Sequence, residues 1–466
     1  MTNPASSPDS RWETDVVVCG AGMGGLVAAL AAAEDGARVT VLEKTDQPGG
    51  SLALSGGYVW TLPSVDEYMR LIPHGDQALG RALVEDFDTG IEWLRAHQVR
   101  LGPLHQELGP DRAGAGYRVE PDPVSGAVRP LVESLEARGG TVSCRSRVVG
   151  LEQDGDGAVI GVRVQGPRGA ETVKTTAVVV ASGGFQGDVE LMSRHVSPWS
   201  DRALLRASPS CTGDGFRLAV DAGAATSGGL NAVYAHVMPA LPGPMEPAAF
   251  RPMTQFYVEV CLLLNLHGVR FVDESRGDAV CGLELLRQTE ATGFIVLDEA
   301  GRRDRVMESF IPDLLPRDPL EAVRAAGGTV LQAESREALC RRLADFGVPQ
   351  SVALATIVGF DAAAERGDAG ALPMPRASGL HTLREAPYHA VRVIPGVTFT
   401  EGGLRVDPQG RALDRDGRPV PGLFVAGADV GRISNVGYAG GLSAALVTGL
   451  RAGVHAARAQ PHAVAR

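Results

Sequence analysis

The chain has 466 residues, of which 44% are apolar, and a formal net charge of −11 at pH 7. This length can hold two domains with sizeable cores, and the negative charge disfavours nucleic acid or an anionic membrane surface as a partner. The six cysteines lack CxxC and CxxCH spacing, so we expect no metal, iron–sulfur or haem site and a reducing, cytoplasmic compartment.

The first residues are polar, contain Pro4 and Pro8, and lack the apolar stretch of a signal peptide. We therefore expect residues 1–11 to be a short disordered leader. The apolar stretch that follows, 16–33, is interrupted by glycines, so we predict no membrane span.

The first predicted element is a strand that contains Val16, Val17 and Val18, whose β-branched run suits burial on both faces. A glycine-rich turn and an Ala/Leu-rich helix over residues 25–35 follow. A second strand, over residues 38–42, ends at an acid, Glu43. This order predicts a βαβ unit that binds a dinucleotide, in which Glu43 accepts a ribose hydroxyl. An acid there disfavours a 2′-phosphate, so the ligand is expected to be FAD or NAD rather than NADP.

The glycines of the first turn have distinct tasks in such a unit. Gly20 permits the tight turn, Gly22 lets the backbone approach a pyrophosphate, and Gly25 lets the helix pack closely on the strand. The helix N-terminus then faces the phosphates with its N–H groups and its dipole.

Two further glycine-rich loops, 47–51 and 54–57, come directly after the acid. A nicotinamide-binding domain would continue into another crossover helix here. Small residues instead suit an isoalloxazine ring and its ribityl chain passing close to the backbone, so these loops favour FAD over NAD.

The middle and the end of the chain add further glycine segments. A β-rich segment over 140–180 leads into a buried strand and the glycine pair at 183–184, and a glycine turn at 211–215 precedes a helix. A closing segment, 421–429, is again a strand running into glycine, followed by a helix over 441–457 whose N-terminus would favour negative charge on a reduced flavin. Both chain ends are therefore expected to hold one dinucleotide.

These motifs fall in order across nearly the whole chain, and together they resemble the fumarate reductase/succinate dehydrogenase flavoprotein superfamily, which includes the 3-ketosteroid Δ1-dehydrogenases. The matching pieces are GAGMGG with Glu43-Lys44, PGGS with SGG, ASGGF, TGDG, the segment 268–274, and the block from Thr400 to Gly441. The resemblance implies an α/β fold, with a Rossmann-type FAD-binding domain and an inserted α+β cap domain. We expect the FAD-binding domain to comprise residues 12–230 and 388–466, and the cap to comprise 231–387.

The resemblance also implies the cofactor contacts. Position 50, where succinate dehydrogenases attach FAD through a histidine, is a glycine here, so we expect non-covalent FAD. The expected cofactor-binding residues are Gly20, Ala21, Gly22, Met23, Gly24, Gly25, Glu43, Lys44, Gly50, Ser51, Ser55, Gly56, Gly57, Val148 (near the adenine), Ala181, Ser182, Gly183, Asp214, Gly427, Ala428, Asp429, Gly441, Leu442 and Ser443.

The residue that moves a proton is expected just after the segment Arg270–Glu274. Fumarate reductases have an arginine proton donor four positions past the glutamate, and the ketosteroid enzymes are expected to have a tyrosine base there. In this chain the position is Asp278, with Arg276 two residues before it. Asp278 could serve as base for a C–H next to a carbonyl, with Arg276 as its electrostatic partner. The alternative is that both are surface charges on a cap loop.

Two departures from fumarate reductases concern the substrate. Their carboxylate-binding histidine segment is matched here by 398–403, which has no histidine, and their clamping arginine is replaced by Tyr438. Loss of a bidentate arginine argues against a dicarboxylate. A tyrosine before a glycine pair is similar to the ketosteroid enzymes, where it binds a ketone oxygen. A packing role for Tyr438 is the alternative.

His236 lies near the position of a substrate-facing histidine in fumarate reductases, although its spacing to the following proline is shifted. It is a candidate for substrate contact, and a structural histidine is the alternative.

The sequence thus predicts an FAD-dependent oxidoreductase acting on a CH–CH or C=C bond next to a carbonyl, with a ketone desaturase favoured. Its expected partners are a small-molecule substrate and an unidentified electron acceptor or donor. One alternative is a reductase of a small unsaturated acid that uses His236 and Arg276. Another, from a different class, is a flavin electron-transfer protein without an organic substrate.

Overall fold

The structure is a computed structural model that describes residues 14–109, 113–307 and 316–459. The expected leader, residues 1–11, lies outside these ranges. No helix in the described ranges combines the length and the apolar character needed to cross a bilayer.

The strands, in chain order, are β1 (Val16–Cys19), β2 (Val39–Leu42), β3 (Tyr58–Thr61), β4 (Leu101–Leu108), β5 (Gly114–Val119), β6 (Thr141–Ser143), β7 (Arg147–Gln153), β8 (Val159–Gly166), β9 (Gly169–Lys174), β10 (Ala177–Val180), β11 (Leu204–Leu205), β12 (Val233–Pro239), β13 (Leu262–Asn265), β14 (Gly293–Leu297), β15 (Val330–Ala333), β16 (Tyr388–Thr400), β17 (Arg411–Leu413) and β18 (Pro419–Val425).

The helices, in chain order, are α1 (Met23–Glu34), α2 (Val65–Leu71), α3 (Gln77–Ala96), α4 (Arg129–Glu136), α5 (Val189–His195), α6 (Asp214–Asp221), α7 (Asp278–Leu286), α8 (Glu299–Gly301), α9 (Pro319–Ala325), α10 (Arg336–Ala344), α11 (Gln350–Arg366) and α12 (Gly441–Ala457).

The described residues divide into two compact units. The first unit comprises the described residues up to Asp188, residues Ala207–Asn231, and the described residues from Phe399 onward. The second unit comprises Val189–Arg206 and the described residues of Ala232–Thr398. The expected domain boundaries at 230/231 and 387/388 remain predictions. The units differ from them because 189–206 and 388–398 group with the second unit: β11 pairs with β16, and β16 is itself a strand of that unit's sheet.

The first unit is built on a sheet in the order β17-β18-β10-β1-β2-β6. Strands β18, β10, β1, β2 and β6 are parallel, and β17 is antiparallel at the edge. Val16, Val17 and Val18 are fully buried, as expected for a strand covered on both faces. The sheet joins β18, near the end of the chain, to β1 at its start. The α/β class and the Rossmann-type unit predicted from the sequence are confirmed.

Helices α1 and α12 pack closely on each other in this unit. A Cβ at Gly453 would collide with the carbonyl oxygen of Ala28, and one at Gly449 would lie 2.7 Å from the carbonyl oxygen of Gly24. Glycines at these positions therefore let the last described helix lie directly on the first.

Two antiparallel sheets complete the first unit, in the orders β3-β5-β4 and β7-β8-β9. The second of these sheets lies within the segment that the sequence predicts to be rich in strands. It carries Val148, which is buried, and Val149, which is exposed.

The second unit has a sheet in the order β11-β16-β14-β13, and β12 and β15 also pair with β16. Its apolar core includes Phe294 and Ile295 of β14, which point to opposite faces of the sheet, and both are fully buried. The sheet is therefore covered on both faces in this region.

Candidate active site

The turn after β1 has one packed side and one open side. A Cβ at Gly20 or Gly25 would collide with backbone, from Ala181 and Gly20 respectively, whereas a Cβ at Gly22 would meet its nearest atom, the Gly49 carbonyl oxygen, only at 3.9 Å. Gly20 and Gly25 thus permit the close packing of the turn. Gly22 leaves an open face where a ligand can come close to the protein backbone.

Helix α1 begins at Met23, two residues earlier than the sequence predicts. The residue before it, Gly22, has no side chain to cap the helix, and the first turn contains no acid. Its leading N–H groups and the positive end of its dipole therefore suit the negative phosphates of a dinucleotide.

Glu43 is buried at the end of β2 and is held rigidly beside the turn. Its Oε2 accepts the N–H of Ala21 at 2.8 Å, and its Oε1 accepts both the N–H and the hydroxyl of Thr45, each at 2.8 Å. An ionised carboxylate oxygen can accept two hydrogen bonds, so Oε2 keeps an acceptor site for a ribose hydroxyl.

Lys44 and Asp214, both predicted cofactor residues, form an ion pair with each other at 2.9 Å. Arg147 also pairs with Asp214, at 2.9 Å. Burial raises the pKa of Asp214, but the hydrogen bonds from Lys44 and Arg147 outweigh it and leave that pKa below its ordinary value. These side chains tie α6 to β2 and β7, and their contact with the cofactor remains a prediction.

The second glycine loop lies against the first. A Cβ at Gly50 would be 3.6 Å from Cα of Gly22, and the hydroxyl of Ser51 accepts the N–H of Ser208 at 3.1 Å. The Ser55 hydroxyl donates to the carbonyl of Leu52 at 2.8 Å. Because position 50 is glycine, no side chain is available there for a covalent bond to a flavin.

Gly56 and Gly57 lead directly into β3. The N–H of Gly57 donates to the Ser55 hydroxyl at 3.1 Å, and its carbonyl accepts the N–H of Val119 at 2.9 Å. This loop is thus fixed to β5.

Asp429 connects the closing segment to the end of β10. Its carboxylate is 1% exposed and accepts the N–H groups of Gly183 (2.9 Å) and Gly184 (3.3 Å) and the hydroxyl of Ser182 (3.1 Å). Burial raises the pKa of Asp429 in spite of these bonds. The sequence predicts Asp429, Ser182 and Gly183 as separate cofactor contacts, and the structure brings them together in one network.

The remaining predicted cofactor residues of the closing segment lie around the start of α12. A Cβ on Gly24 would lie 3.0 Å from the N of Gly427, so this segment reaches the first turn. Ala428 follows Gly427, and Leu442 packs against the apolar core that includes residues of α1. The Ser443 hydroxyl is buried and donates to the carbonyl of Trp60 at 2.5 Å, which gives that side chain a structural role.

Tyr438 lies just before α12, and its phenol oxygen accepts the N–H of Gly441 at 2.9 Å. Its ring meets Trp60 edge-on, with centroids 5.2 Å apart, and lies 6.0 Å from the ring of Phe399. The side chain is only half-buried. The hydroxyl is thus held at the positive end of a helix, within an aromatic wall.

In the second unit, the structure pairs two residues that the sequence analysis treated separately. His236 lies on β12 and Asp278 is the first residue of α7, and Nδ1 of the histidine is hydrogen-bonded to the carboxylate. The side chains are only 7% and 14% exposed, respectively. The rings of Tyr234 and Phe256 lie edge-on to the imidazole, at 4.7 and 5.8 Å between centroids.

Arg276, the expected electrostatic partner of Asp278, is exposed, and the carboxylate pairs with His236 instead. The reason is local geometry: residues 274–276 form a separate short turn, and Gly277, at φ 90°, redirects the chain before α7 begins. The surface-charge alternative therefore describes Arg276 but not Asp278.

The segment before α7 is anchored by a buried ion cluster. Glu274 is fully buried between Arg270 and Arg376 and also accepts the N–H of Leu263 at 2.9 Å. This anchor holds the chain in place just ahead of Asp278.

The pKa of His236 lies below its ordinary value. Burial is the main cause, the nearby charges of Arg206 and Arg251 lower it further, and Asp278 acts in the opposite direction. At neutral pH the imidazole is therefore neutral and able to accept a proton.

Arg206 was not singled out by the sequence analysis, because it lies in a connection without a motif. Its guanidinium donates to the Thr398 hydroxyl at 3.2 Å and lies 5.8 Å from the ring of Phe250. Its stem fits against Gly396, where a Cβ would be 2.6 Å from Cδ of the arginine.

Known proteins resemble this chain over almost its whole length. A family model described as an FAD binding domain matches residues 15–443. A vinyl phenol reductase from Lactiplantibacillus plantarum is 27% identical, covering 95% of this chain and 96% of its own. A 4-oxocyclohexanecarboxylate 2-dehydrogenase from Sinomonas cyclohexanicum is 26% identical, with coverages of 91% and 89%.

The fold agrees with these matches. The structure of a 3-ketosteroid-Δ4-(5α)-dehydrogenase from Rhodococcus jostii RHA1 aligns with a TM-score of 0.74 at 22% identity, covering 97% of this chain and 98% of that one. The open face at Gly22, the uncapped start of α1 and the oriented Glu43 fit a dinucleotide. The chain belongs to the FAD-binding domain family, and it is an FAD-dependent dehydrogenase or reductase.

Proposed function

We propose that this flavoenzyme acts on a CH–CH bond next to a carbonyl and that it desaturates a ketone. The observation that carries the proposal is the position of Tyr438, whose phenol oxygen accepts the N–H of Gly441 at the start of α12. In this function the Tyr438 hydroxyl would donate a hydrogen bond to the ketone oxygen of the substrate.

A phenol that accepts a hydrogen bond from a helix N-terminus is well suited to stabilise an enolate. The bond from Gly441 draws electron density from the phenol oxygen, and the helix dipole adds positive potential at the same point. Both effects make the O–H a stronger donor to an oxygen on which negative charge develops. Removing one such donor in other enzymes costs about 10²–10³ in rate.

The other roles are divided between cofactor and protein. When bound, FAD supplies the hydride acceptor for this chemistry. The turn at Gly22, the start of α1 and Glu43 would hold the dinucleotide, and the His236–Asp278 pair would take the proton from the carbon next to the carbonyl.

The alternatives have unequal support. Tyr438 replaces the arginine that would clamp a dicarboxylate, which disfavours fumarate or succinate. Among the relatives, one name specifies dehydrogenation of an oxo acid and another a reduction, so the reverse direction is the main rival. A reductase of a small unsaturated acid is favoured by one observation, the positive charges of Arg206 and Arg251 near His236.

The test is anaerobic mixing of the oxidised holoprotein with cyclic ketones, 3-ketosteroids and dicarboxylic acids, each alone, while the visible absorbance of the flavin is recorded. We expect bleaching by ketones and none by succinate. Bleaching by succinate alone would overturn the proposal in favour of an acid-specific enzyme. No bleaching by any compound, with a reduced flavin that is reoxidised by unsaturated acids, would support the reductase instead.

A further inference from the structure

We infer that His236 exchanges the proton with the substrate through its Nε2 atom and that Asp278 positions it. This assignment rests on the proposed function and differs from the sequence prediction, in which Asp278 is the base. The two residues therefore act together, with His236 as the base and Asp278 as the residue that orients it.

The geometry of the pair sets the direction of proton transfer. The carboxylate of Asp278 accepts a hydrogen bond from Nδ1 of His236, so the proton of the neutral ring lies on Nδ1 and Nε2 carries the lone pair. In the part of the chain that the structure describes, Nε2 makes no hydrogen bond. The basic nitrogen is thus the one that Asp278 leaves available.

The ring is held in a fixed orientation. The rings of Tyr234 and Phe256 are edge-on to it, and β12, on which it lies, is buried over nearly its whole length. Asp278 is in turn held at the first position of α7, ahead of which Glu274 is anchored by two arginines. A base whose position is fixed in this way needs little reorganisation before it accepts a proton.

The charges around the ring keep it unprotonated. Arg206 and Arg251 oppose a positive imidazole, burial does the same, and the carboxylate of Asp278 partly compensates. After proton transfer the same carboxylate stabilises the imidazolium, as in other carboxylate–histidine pairs.

The C–H bond next to the carbonyl breaks, its proton goes to Nε2 of His236, and its electron pair forms the new C=C bond. The hydride lost from the neighbouring carbon goes to the flavin, which is the acceptor that FAD would supply when bound. Asp278 gains no proton in this step. The imidazolium then releases its proton to solvent before the next turnover.

The first arm of the test uses NMR of the holoprotein labelled with ¹⁵N-histidine, and the His236 signal is assigned by its loss in His236→Gln. We expect a neutral ring with the proton on Nδ1. We also expect its pKa to lie below 6.5, the pKa of an ordinary histidine. A ring protonated on Nε2 at neutral pH would overturn the inference, whatever the substrate.

The second arm measures the rate of flavin reduction against pH, with a cyclic ketone that bleaches the wild-type flavin. Because the base works unprotonated, the wild-type rate should fall as pH drops through the lowered pKa of His236. His236→Gln should lose about 10²–10⁴ in rate and the acidic limb with it. Asp278→Asn should keep the limb but move it to lower pH, since the compensating charge is gone.

The control is His389→Gln, which removes another buried histidine–carboxylate pair of the second unit (Glu299 at 2.8 Å) and should leave the profile unchanged. An acidic limb that persists in His236→Gln and vanishes in Asp278→Asn would overturn the inference and make Asp278 the base. If no ketone reduces the wild-type flavin, the proposed function fails, while the NMR arm still decides the orientation of the pair.

Discussion

At the scale of single residues, the structure shows how neighbouring groups change what a side chain can do. Tyr438 is an ordinary phenol in sequence, but Gly441 donates an N–H to its oxygen at the start of α12. His236 is similarly changed by its neighbours: Asp278 is hydrogen-bonded to its Nδ1, and two nearby arginines lower its pKa. For His236, the chemistry that we propose depends on the ring nitrogen that Asp278 leaves available.

We expect Tyr438→Phe to slow ketone-dependent flavin reduction by about 10²–10³, because it removes a donor to the developing enolate oxygen. Binding of FAD should be unchanged, since the phenol is not assigned to the cofactor. Stopped-flow absorbance measures the rate. Tyr117→Phe, which removes a phenol from β5, is the matched control, and equal rates in wild type and Tyr438→Phe would contradict the proposed role.

At the scale of elements, the glycines of the turn between β1 and α1 have two different environments. Gly25 is packed closely against backbone, whereas Gly22 is on the open side of the turn. A Cβ at Gly25 would collide with the carbonyl oxygen of Gly20, whereas a Cβ at Gly22 would meet its nearest atom only at 3.9 Å. The φ of Gly22 is −80°, a value that alanine also adopts. The two positions can therefore be tested by the same substitution.

Gly22→Ala should leave the melting temperature of the apoprotein unchanged and weaken FAD binding, because the added methyl occupies the face that the pyrophosphate approaches. Gly25→Ala should lower the melting temperature, because its methyl collides with backbone. Thermal unfolding of the apoprotein and fluorescence titration with FAD measure the two effects. A stable Gly25→Ala protein, or unchanged FAD affinity in Gly22→Ala, would show that the roles are assigned wrongly.

At the scale of the whole molecule, segments from early and late in the chain build the first unit together. Strand β18 reaches β1 through β10, and α12 lies on α1 at Gly449 and Gly453. The stability of the first unit should therefore depend on this contact between distant segments.

Gly453→Ala should destabilise the protein by about 1–3 kcal/mol, since the methyl would collide with the carbonyl oxygen of Ala28. Gly359→Ala makes the same change in α11, where nothing lies within 4 Å, and should instead stabilise by about 1 kcal/mol through helix propensity. Denaturant unfolding of the two variants provides the comparison. A stabilised Gly453→Ala would mean that α12 is not packed against α1 in this way.

The βαβ part of the first unit could be predicted from the sequence because the motifs that specify it are local. Strand, glycines, helix and Glu43 lie within thirty consecutive residues, where steric demands on the backbone select the residue types directly. The closing helix has the predicted limits, 441–457. Helix α1 begins two residues earlier than predicted, because helix-favouring side chains do not reveal where the first turn begins.

The pairing of His236 with Asp278 could be found only in the tertiary structure. His236 and Asp278 are 42 residues apart in sequence, and Arg206 and Thr398 are 192 apart, so no periodicity or spacing connects them. The sequence likewise does not show that residues 189–206 belong to the second unit, because this follows from the pairing of β11 with β16. The sequence by itself determined the cofactor and the parallel sheet, since both depend on the conformations of contiguous segments. The tertiary structure decided which nitrogen of His236 is available and which charge accompanies Asp278, because those depend on side chains that meet only after the chain has folded.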